Sequence, residues 1–197
     1  MENSKKNINL EEIEHKYDPQ LSFRKLGPKI EIIVISLLVG MSIYHFWATG
    51  FGLVREVLHR GLHISFVLGL VFLLFSWNKK KNLLSFLTFQ KISLLDYFFS
   101  FLAVITALYL PMLPPEILAQ RVGNPESIDV LMGSILIVLT LEAARRSVGP
   151  TLPLISIIFI LFAIFGPYAP GALKHGGTSW LGFVNHIYIT NQGVYGI

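Results

Sequence analysis

The sequence predicts an all-α integral membrane protein with about five transmembrane helices, a cytoplasmic N-terminus and a C-terminal amphipathic helix at the membrane interface. Of the 197 residues, 53% are hydrophobic and only 14% are charged, against roughly 25% charged in a soluble globular domain. A chain of this length leaves much of its surface outside any core, and it has too little charge to cover that surface in water. The same composition excludes intrinsic disorder.

The chain contains no cysteine. That excludes disulfides, thiol catalysis, Cys-ligated zinc and iron–sulfur clusters. The formal net charge is +4, which in a soluble protein would suggest nucleic acid. In a membrane protein the positions of the charges carry more information than their sum, and we expect no nucleic-acid partner.

Residues 1–29 form a polar segment of mixed charge before the first apolar run. We interpret this segment as a solvated cytoplasmic tail with at most one short helix. No apolar region follows Met1 directly, so a cleaved signal peptide is not expected.

Five continuously apolar runs follow the tail. Crossing a ~30 Å hydrocarbon layer takes about 20 helical residues at ~1.5 Å each. The first and third runs reach that length, the second does so if its histidine-containing end lies among the headgroups, and the last two are short. Continuous rather than alternating apolar character predicts helices. The runs cover residues 30–47, 57–77, 94–113, 130–144 and 152–168.

Lysine and arginine are enriched in every second segment between the apolar runs, as expected if all five runs cross the membrane. Twelve of the 16 lie in the tail, after the second run and at the end of the fourth run. The other four, Arg55, Arg60, Arg121 and Lys174, lie in the intervening segments. Because cytoplasmic loops are enriched in Lys and Arg, this pattern predicts a cytoplasmic N-terminus independently of the hydropathy.

Proline, glycine and capping residues mark where the runs stop and start. We expect Ser127 or Asp129 to cap the fourth helix. The expected breaks lie at Pro111, Pro114 and Pro115 after the third run, at Gly149 and Pro150 between the fourth and fifth, and at Gly166 and Pro167 after the fifth.

The last stretch differs because its apolar residues recur at helical spacing from Trp180 to Tyr188. Thr178 or Ser179 could cap this helix. Its 11–13 or so residues are too few to span a bilayer, so the pattern predicts an interfacial helix with Trp180 and Tyr188 at headgroup level. A buried re-entrant or core segment fits equally, because the polar face lacks Lys and Arg.

Two polar groups stand at the predicted cytoplasmic edge. Glu142 lies three residues before Arg145 and four before Arg146, so either pair can meet on one helix face. The alternatives are a contact to another helix or domain, and a helix-end salt bridge combined with a positive-inside stop. Asp96 opens the third run at the same edge, where it could cap the helix or interact favourably with its dipole.

No motif for catalysis or cofactor binding is present. His59 and His63 have the spacing of a metal pair, but the adjacent Arg60 opposes a cation, and we expect interfacial anchoring. His45, His175 and His186 are isolated in sequence and receive the same interpretation. The runs lack paired carboxylates, nucleophile elbows and phosphate-binding loops, so we expect no enzyme, no metal, no cofactor and no substrate or coupling-ion site.

A longer pattern carries a family resemblance. The stretch Leu141–Pro150, followed by Leu152 and Pro153 and then by 165–171, resembles the fused 4TM/12TM permeases of tripartite ATP-independent periplasmic (TRAP) transporters. Residues 175–177, Gly193 and 195–197 continue the pattern. Single residues further upstream also resemble that family, without forming a continuous motif. They are Leu95, Asp96, Tyr97, Tyr109, Arg121, Asp129 and Gly133. The residues we single out as structural candidates of the motif are Asp96, Glu142, Arg145, Arg146, Gly149, Pro150, Gly166 and Pro167.

The resemblance implies a role and a domain division. After the tail, residues 30–148 would form the four-helix small-subunit region, and 149–197 would begin the large transporting subunit. Such permeases lie in the inner membrane and are similar to elevator-type transporters. They are driven by a sodium gradient and receive organic acids, such as dicarboxylates, from a periplasmic binding protein, usually of the TAXI class.

In this family the ion and substrate sites lie in the part that would follow Ile197. We therefore expect the chain to be a fragment, a truncated frame or one piece of a split gene. It would act as a scaffold that does not transport alone. The alternatives are a stand-alone membrane scaffold or assembly protein, and a non-functional truncated fragment.

Overall fold

The computed structural model describes residues 23–52, 54–76, 88–89, 91–190 and 192–196, and these residues are mostly helical with almost no strand. Most of the predicted tail, Lys79–Lys81 and Ile197 lie outside the described residues. Two short strands, β1 (Thr88–Phe89) and β2 (Ile92–Ser93), pair antiparallel before the third helix. The helices are α1 (Pro28–Phe51), α2 (Glu56–Leu74), α3 (Leu94–Tyr109), α4 (Pro115–Arg121), α5 (Ser127–Ser147), α6 (Thr151–Ile164) and α7 (Trp180–Val184), which a π-helical turn (Asn185–Ile189) extends.

Three of these helices, α1, α2 and α5, are long and apolar enough to cross a membrane, with 24, 19 and 21 residues. The helix α5 is longer than its apolar run because it continues into the charged residues at both ends. The apolar helices α3 and α6 have 16 and 14 residues. The prediction that the third run reaches spanning length needs correction, because the α-helix ends at Tyr109, just before Pro111, and the chain continues as a turn.

The core lies between α2, α3 and α5. Phe72 on α2, Ala103 and Ala107 on α3 and Leu136 on α5 are all fully buried there. Close packing of α2 against the end of α3 depends on Gly61, where an added Cβ would overlap the Pro111 side chain.

Most of the surface of α1 and α6 is apolar and exposed. In α1 only Ile30 and Val34 are buried, both near its start, and in α6 only Pro153 is buried. Apolar surface of this extent is rare in soluble monomers and indicates a membrane or a protein partner. The exposed apolar surface of α1 and α6 is therefore compatible with insertion into a membrane.

The C-terminal segment packs into the bundle, which corrects the expectation of an interfacial amphipathic helix. Tyr188 is fully buried, and its hydroxyl donates to the Thr106 carbonyl oxygen at 2.7 Å. Tyr195 is also buried and donates to the Ala107 carbonyl at 2.9 Å. The core-segment alternative therefore describes this region, because its apolar face meets α3 and α5. The expected cap is confirmed at Ser179, whose hydroxyl accepts from the Gly182 N–H at 3.1 Å.

The helix breaks on either side of α6 lie at the glycine and proline residues where the sequence predicts them. Gly149 has a φ of 96°, a left-handed conformation suited to glycine, and Pro150 is the N-cap of α6. After α6, Gly166 and Pro167 form a 3₁₀ turn. The His175 ring lies against Gly166, where any Cβ would overlap it, and its Nε2 is 3.1 Å from the Phe162 carbonyl oxygen.

Candidate functional site

A group of five charged side chains, which we call the Asp96 cluster and whose centre at Asp96 and Arg146 is buried, joins one end of the bundle. It consists of Arg24, Asp96, Glu142, Arg145 and Arg146. Asp96 lies in the first turn of α3, but it does not cap the helix. Ser93 is the cap, since its hydroxyl accepts from the Leu95 N–H at 3.3 Å. The Asp96 carboxylate, 4% exposed, is therefore free to face the neighbouring elements.

Arg146 connects the two carboxylates of the cluster. Its Nη1 donates to Asp96 Oδ1 at 2.7 Å, and its Nε donates to Glu142 Oε1 at 2.7 Å. Arg24 donates to the other Asp96 oxygen at 2.6 Å. Arg145 holds Glu142 with two bonds, of 2.7 and 2.8 Å. The salt bridge at the end of α5 and the contact to another helix are therefore both present, because Arg146 pairs with Glu142 on α5 and with Asp96 on α3.

The surroundings of Arg146 explain how a buried guanidinium is tolerated. Its side chain is fully buried, and its central carbon lies 4.9 Å from the ring centroid of Phe72 and 5.7 Å from that of Phe99. A planar guanidinium over aromatic faces gains cation–π attraction. Arg146 also donates to the Phe75 carbonyl, at 3.4 Å, so the cluster ties α5 to α3 and to the end of α2.

A second group, the Asp129 cluster, joins the opposite end of α5. The fully buried Asp129 carboxylate accepts from the Tyr109 hydroxyl at 2.9 Å, from Arg121 at 2.8 Å and from the Glu126 N–H at 2.8 Å. Arg121 also pairs with Glu126 at 2.8 Å. The hydrogen bond to Asp129 raises the pKa of the Arg121 guanidinium above its ordinary value.

This arrangement corrects the expected cap of α5. The N-cap is Glu126, and Asp129 completes a capping box by accepting the Glu126 N–H. Asp129 faces inward because it must also satisfy Tyr109 and Arg121. The sequence singled out all three of these residues, but no spacing rule shows that the end of α3, the short helix α4 and the start of α5 meet at one carboxylate.

The two clusters are suited to fastening helices. In each, the buried carboxylate is engaged by guanidinium groups, so neither presents an open acid for proton transfer or ligand binding. About 20 Å of α5 separates them. Within the described ranges, no group of three or more His, Cys, Asp or Glu side chains is arranged to hold a metal ion.

The structure also assembles four side chains that the sequence treats separately. Tyr44 and His45 on α1 meet His59 and His63 on α2, and we call them the His cluster. The four-residue spacing of His59 and His63 predicts that they share one face of α2. The contact with His45 could not be predicted in this way, because it depends on how α1 packs against α2. His186 lies elsewhere and is exposed.

Two cavities in the described part of the chain lie away from both ion clusters. One, of about 420 Å³, is bounded by α2, α4 and the C-terminal segment, with Arg55, Leu118 and Ile189 in its walls. The other, of about 270 Å³, lies between α1, α2 and α3 and has a mostly apolar lining. Neither brings together the acids, bases or nucleophiles that catalysis requires.

Comparisons of the chain with family models, with curated proteins and with solved structures find no match. The assignment of a function therefore rests on the residues and geometry described above.

Proposed function

We propose that the chain crosses the inner membrane five times with its N-terminus in the cytoplasm, and that it serves as the scaffold part of a TRAP-type secondary transporter. The observation that carries the proposal is the Asp96 cluster. The motif residues Glu142, Arg145 and Arg146 join Asp96, which belongs to the same resemblance, in one ion network with a buried centre at Asp96 and Arg146.

Exposed apolar surface supports the membrane part of the proposal. Phe159 on α6 is 66% exposed and Ile43 on α1 is 63% exposed, as expected for side chains that face lipid. The helices α3 and α6 extend about 24 and 21 Å, less than a typical hydrocarbon layer. Local thinning of the bilayer and the turns that follow these helices accommodate the difference.

Rigid fastening supports the scaffold part. The Asp129 cluster holds one end of α5 and the Asp96 cluster holds the other. A helix bundle fixed at both ends can brace a moving partner without changing shape itself. In this proposal the transporting part is the large permease subunit or the remainder of a fused chain, and a TAXI-type binding protein delivers an organic acid for ion-driven uptake.

Co-purification and reconstitution test the transporter assignment together. The tagged chain, expressed with a large TRAP permease subunit from the same genome, should retain that subunit through affinity and size-exclusion chromatography in detergent. Vesicles containing both proteins and the cognate binding protein should accumulate radiolabelled dicarboxylate when a sodium gradient is imposed, whereas vesicles containing the chain alone should not.

Two results would contradict this assignment. Sodium-driven uptake by the chain alone would show that it carries its own transport site. A chain that inserts into membranes but never retains the large subunit would instead be a stand-alone scaffold.

A further inference from the structure

We propose that the His cluster (Tyr44, His45, His59 and His63) is a pH-sensitive clasp that holds the second half of α1 against α2 and releases it on acidification. The protein's proposed membrane orientation places the clasp on the outer side of the bilayer, so its biological meaning rests on the proposed function. The clasp itself is argued from contacts within the chain.

Hydrogen bonding fixes the protonation pattern of the closed clasp. His45 Nδ1 lies 2.8 Å from the Met41 carbonyl oxygen, and His45 Nε2 lies 2.9 Å from His63 Nδ1. A carbonyl oxygen can only accept, so His45 carries its hydrogen on Nδ1. In the neutral ring Nε2 is then an acceptor, and His63 donates to it through Nδ1.

The remaining members add a third imidazole and a phenol. The Tyr44 hydroxyl is 3.1 Å from His59 Nδ1. The His45 ring centroid lies 5.2 Å from that of His59 and 5.0 Å from that of His63. Three histidines therefore share one small volume, with His45 at its centre.

The second half of α1 depends on this cluster for its attachment. The buried residues of α1, Ile30 and Val34, both lie in its first two turns. Further along, Leu37 borders the cavity of about 270 Å³ that separates the middle of α1 from α2 and α3. Among the described residues, the side-chain hydrogen bonds that join α1 to α2 are those of His45 with His63 and Tyr44 with His59.

Adding protons removes the acceptor that the clasp needs. One extra proton is tolerated, because a charged imidazole still donates to a neutral one. When His45 and His63 are both charged, N–H faces N–H and two like charges repel across about 5 Å. The charge on His59 would add to this repulsion.

Among the described residues, no acid forms a hydrogen bond or an ion pair with His45, His59 or His63. Glu56, one turn before His59 on α2, is the acid that lies closest in sequence, and its carboxylate is paired with Arg60. Arg60 itself also donates to the Tyr195 carbonyl. Tyr44 remains a neutral phenol in the acidic range. Because opening needs charge on both His45 and His63, the clasp should be closed at neutral pH and should open on acidification.

Pulsed electron paramagnetic resonance on the full chain in nanodiscs tests this proposal. Since the chain has no cysteine, nitroxide labels can be placed on Phe46→Cys in α1 and Leu131→Cys in α5, both exposed positions. Lowering the pH from about 7.5 to about 4.5, an interval that brackets the histidine pKa, should lengthen the mean distance by about 5 Å or more, roughly one helical turn.

Matched variants separate the clasp from general acid effects. His63→Gln keeps an amide that can donate to or accept from His45 but cannot become charged, so its label distance should stay at the closed value at both pH values. His186→Gln, at an exposed histidine outside the cluster, should keep the full wild-type response. A second label pair, Phe101→Cys and Leu131→Cys, should not change, because α3 and α5 both belong to the core.

Three results would overturn the proposal. They are an unchanged wild-type distance, a His63→Gln variant that responds like the wild type, and a parallel change in the second label pair, which would mean that the whole bundle opens. The same measurement in detergent micelles does not depend on membrane topology. A protein that fails to insert as proposed but keeps the pH response in micelles would refute the proposed function and leave the clasp standing.

Discussion

Single arginine side chains hold the ends of α5 in place. Each guanidinium is planar and carries several N–H donors, so it can bind more than one acceptor at once. Arg146 donates from different nitrogens to Asp96 and Glu142 while its plane lies near two aromatic rings. Removing one partner of a buried pair leaves an uncompensated charge, which is more destabilising than the loss of an exposed ion pair.

Asp96→Asn should lower the free energy of unfolding by about 3–5 kcal/mol, because Arg24 and Arg146 lose their shared anion while remaining buried. Thermal unfolding of the detergent-solubilised protein, followed by circular dichroism, measures the change. The matched control is Glu116→Gln at an exposed position of α4, where we expect a change within about 0.5 kcal/mol. Equal effects of the two variants would contradict the role of Asp96.

Arg146→Lys preserves the charge but should lower the stability by about 1.5–3 kcal/mol, because an ammonium cannot reproduce the two directed bonds or the aromatic stacking. Arg145→Lys makes the same chemical change at the neighbouring residue, whose side chain is 38% exposed, and should be much milder. The melting temperatures of the two variants measure the difference. A smaller decrease for Arg146→Lys than for Arg145→Lys would contradict the stabilising role given to the hydrogen bonds and aromatic stacking of Arg146.

At the scale of elements, the C-terminal segment is part of the bundle. Gly133 on α5 makes room for it, since an added Cβ would lie 2.6 Å from a Val184 methyl and 2.8 Å from the Tyr188 ring. Tyr188 and Tyr195 then place their hydroxyls on carbonyls of α3. Small residues that let elements approach closely are the usual means of packing in membrane proteins.

Gly133→Ala should displace this segment and lower the stability by about 1–3 kcal/mol through overpacking. Limited proteolysis after residue 180 and thermal unfolding report the change. Gly40→Ala, on α1 where nothing lies within 4 Å of the added Cβ, should be neutral or slightly stabilising. A Gly133→Ala protein as protease-resistant as the wild type would show that the segment does not pack there.

Alkaline pH should loosen the same segment. Burial raises the pKa of the Tyr188 and Tyr195 phenols above their ordinary value. For groups whose folded-state pKa is raised, the contribution to stability is complete below the unfolded pKa of ~10 and is lost as the pH rises through the folded value. Melting temperatures between about pH 8 and pH 11.5 should fall less for Tyr188→Phe than for the wild type, and equal losses would contradict the burial of this phenol.

Features set by local sequence were predictable. Gly149 and Pro150 separate α5 from α6 as expected, Ser179 caps α7, and Glu142 pairs with both following arginines. Each depends on residues within four positions of one another, where capping, helix spacing and proline geometry apply directly.

Features that join distant residues were not predictable. Arg24 and Asp96 are 72 positions apart, Arg146 and Asp96 are 50 apart, and His45 and His63 are 18 apart. Their pairing depends on how the helices pack, which no spacing rule encodes. The helix α4 was also unforeseen, because its seven residues are too few to show an apolar period.

At the scale of the whole molecule, the proposed orientation separates the two ends of the bundle. The Asp96 cluster would lie at the cytoplasmic edge, and the Asp129 cluster and the His cluster at the outer edge. The fixed end networks would keep α2, α3 and α5 together, while α1 would move at its outer half and α6 would present apolar surface to lipid.

Substituted-cysteine labelling tests this orientation most directly, since the natural chain has no cysteine. Single variants Lys80→Cys and Gln120→Cys, the latter at an exposed position of α4, are treated with a membrane-impermeant maleimide in right-side-out membrane vesicles. We predict that Gln120→Cys reacts at once and that Lys80→Cys reacts only after detergent is added. Equal labelling of both sites before detergent, or recovery of the chain in the soluble fraction after ultracentrifugation, would contradict the account.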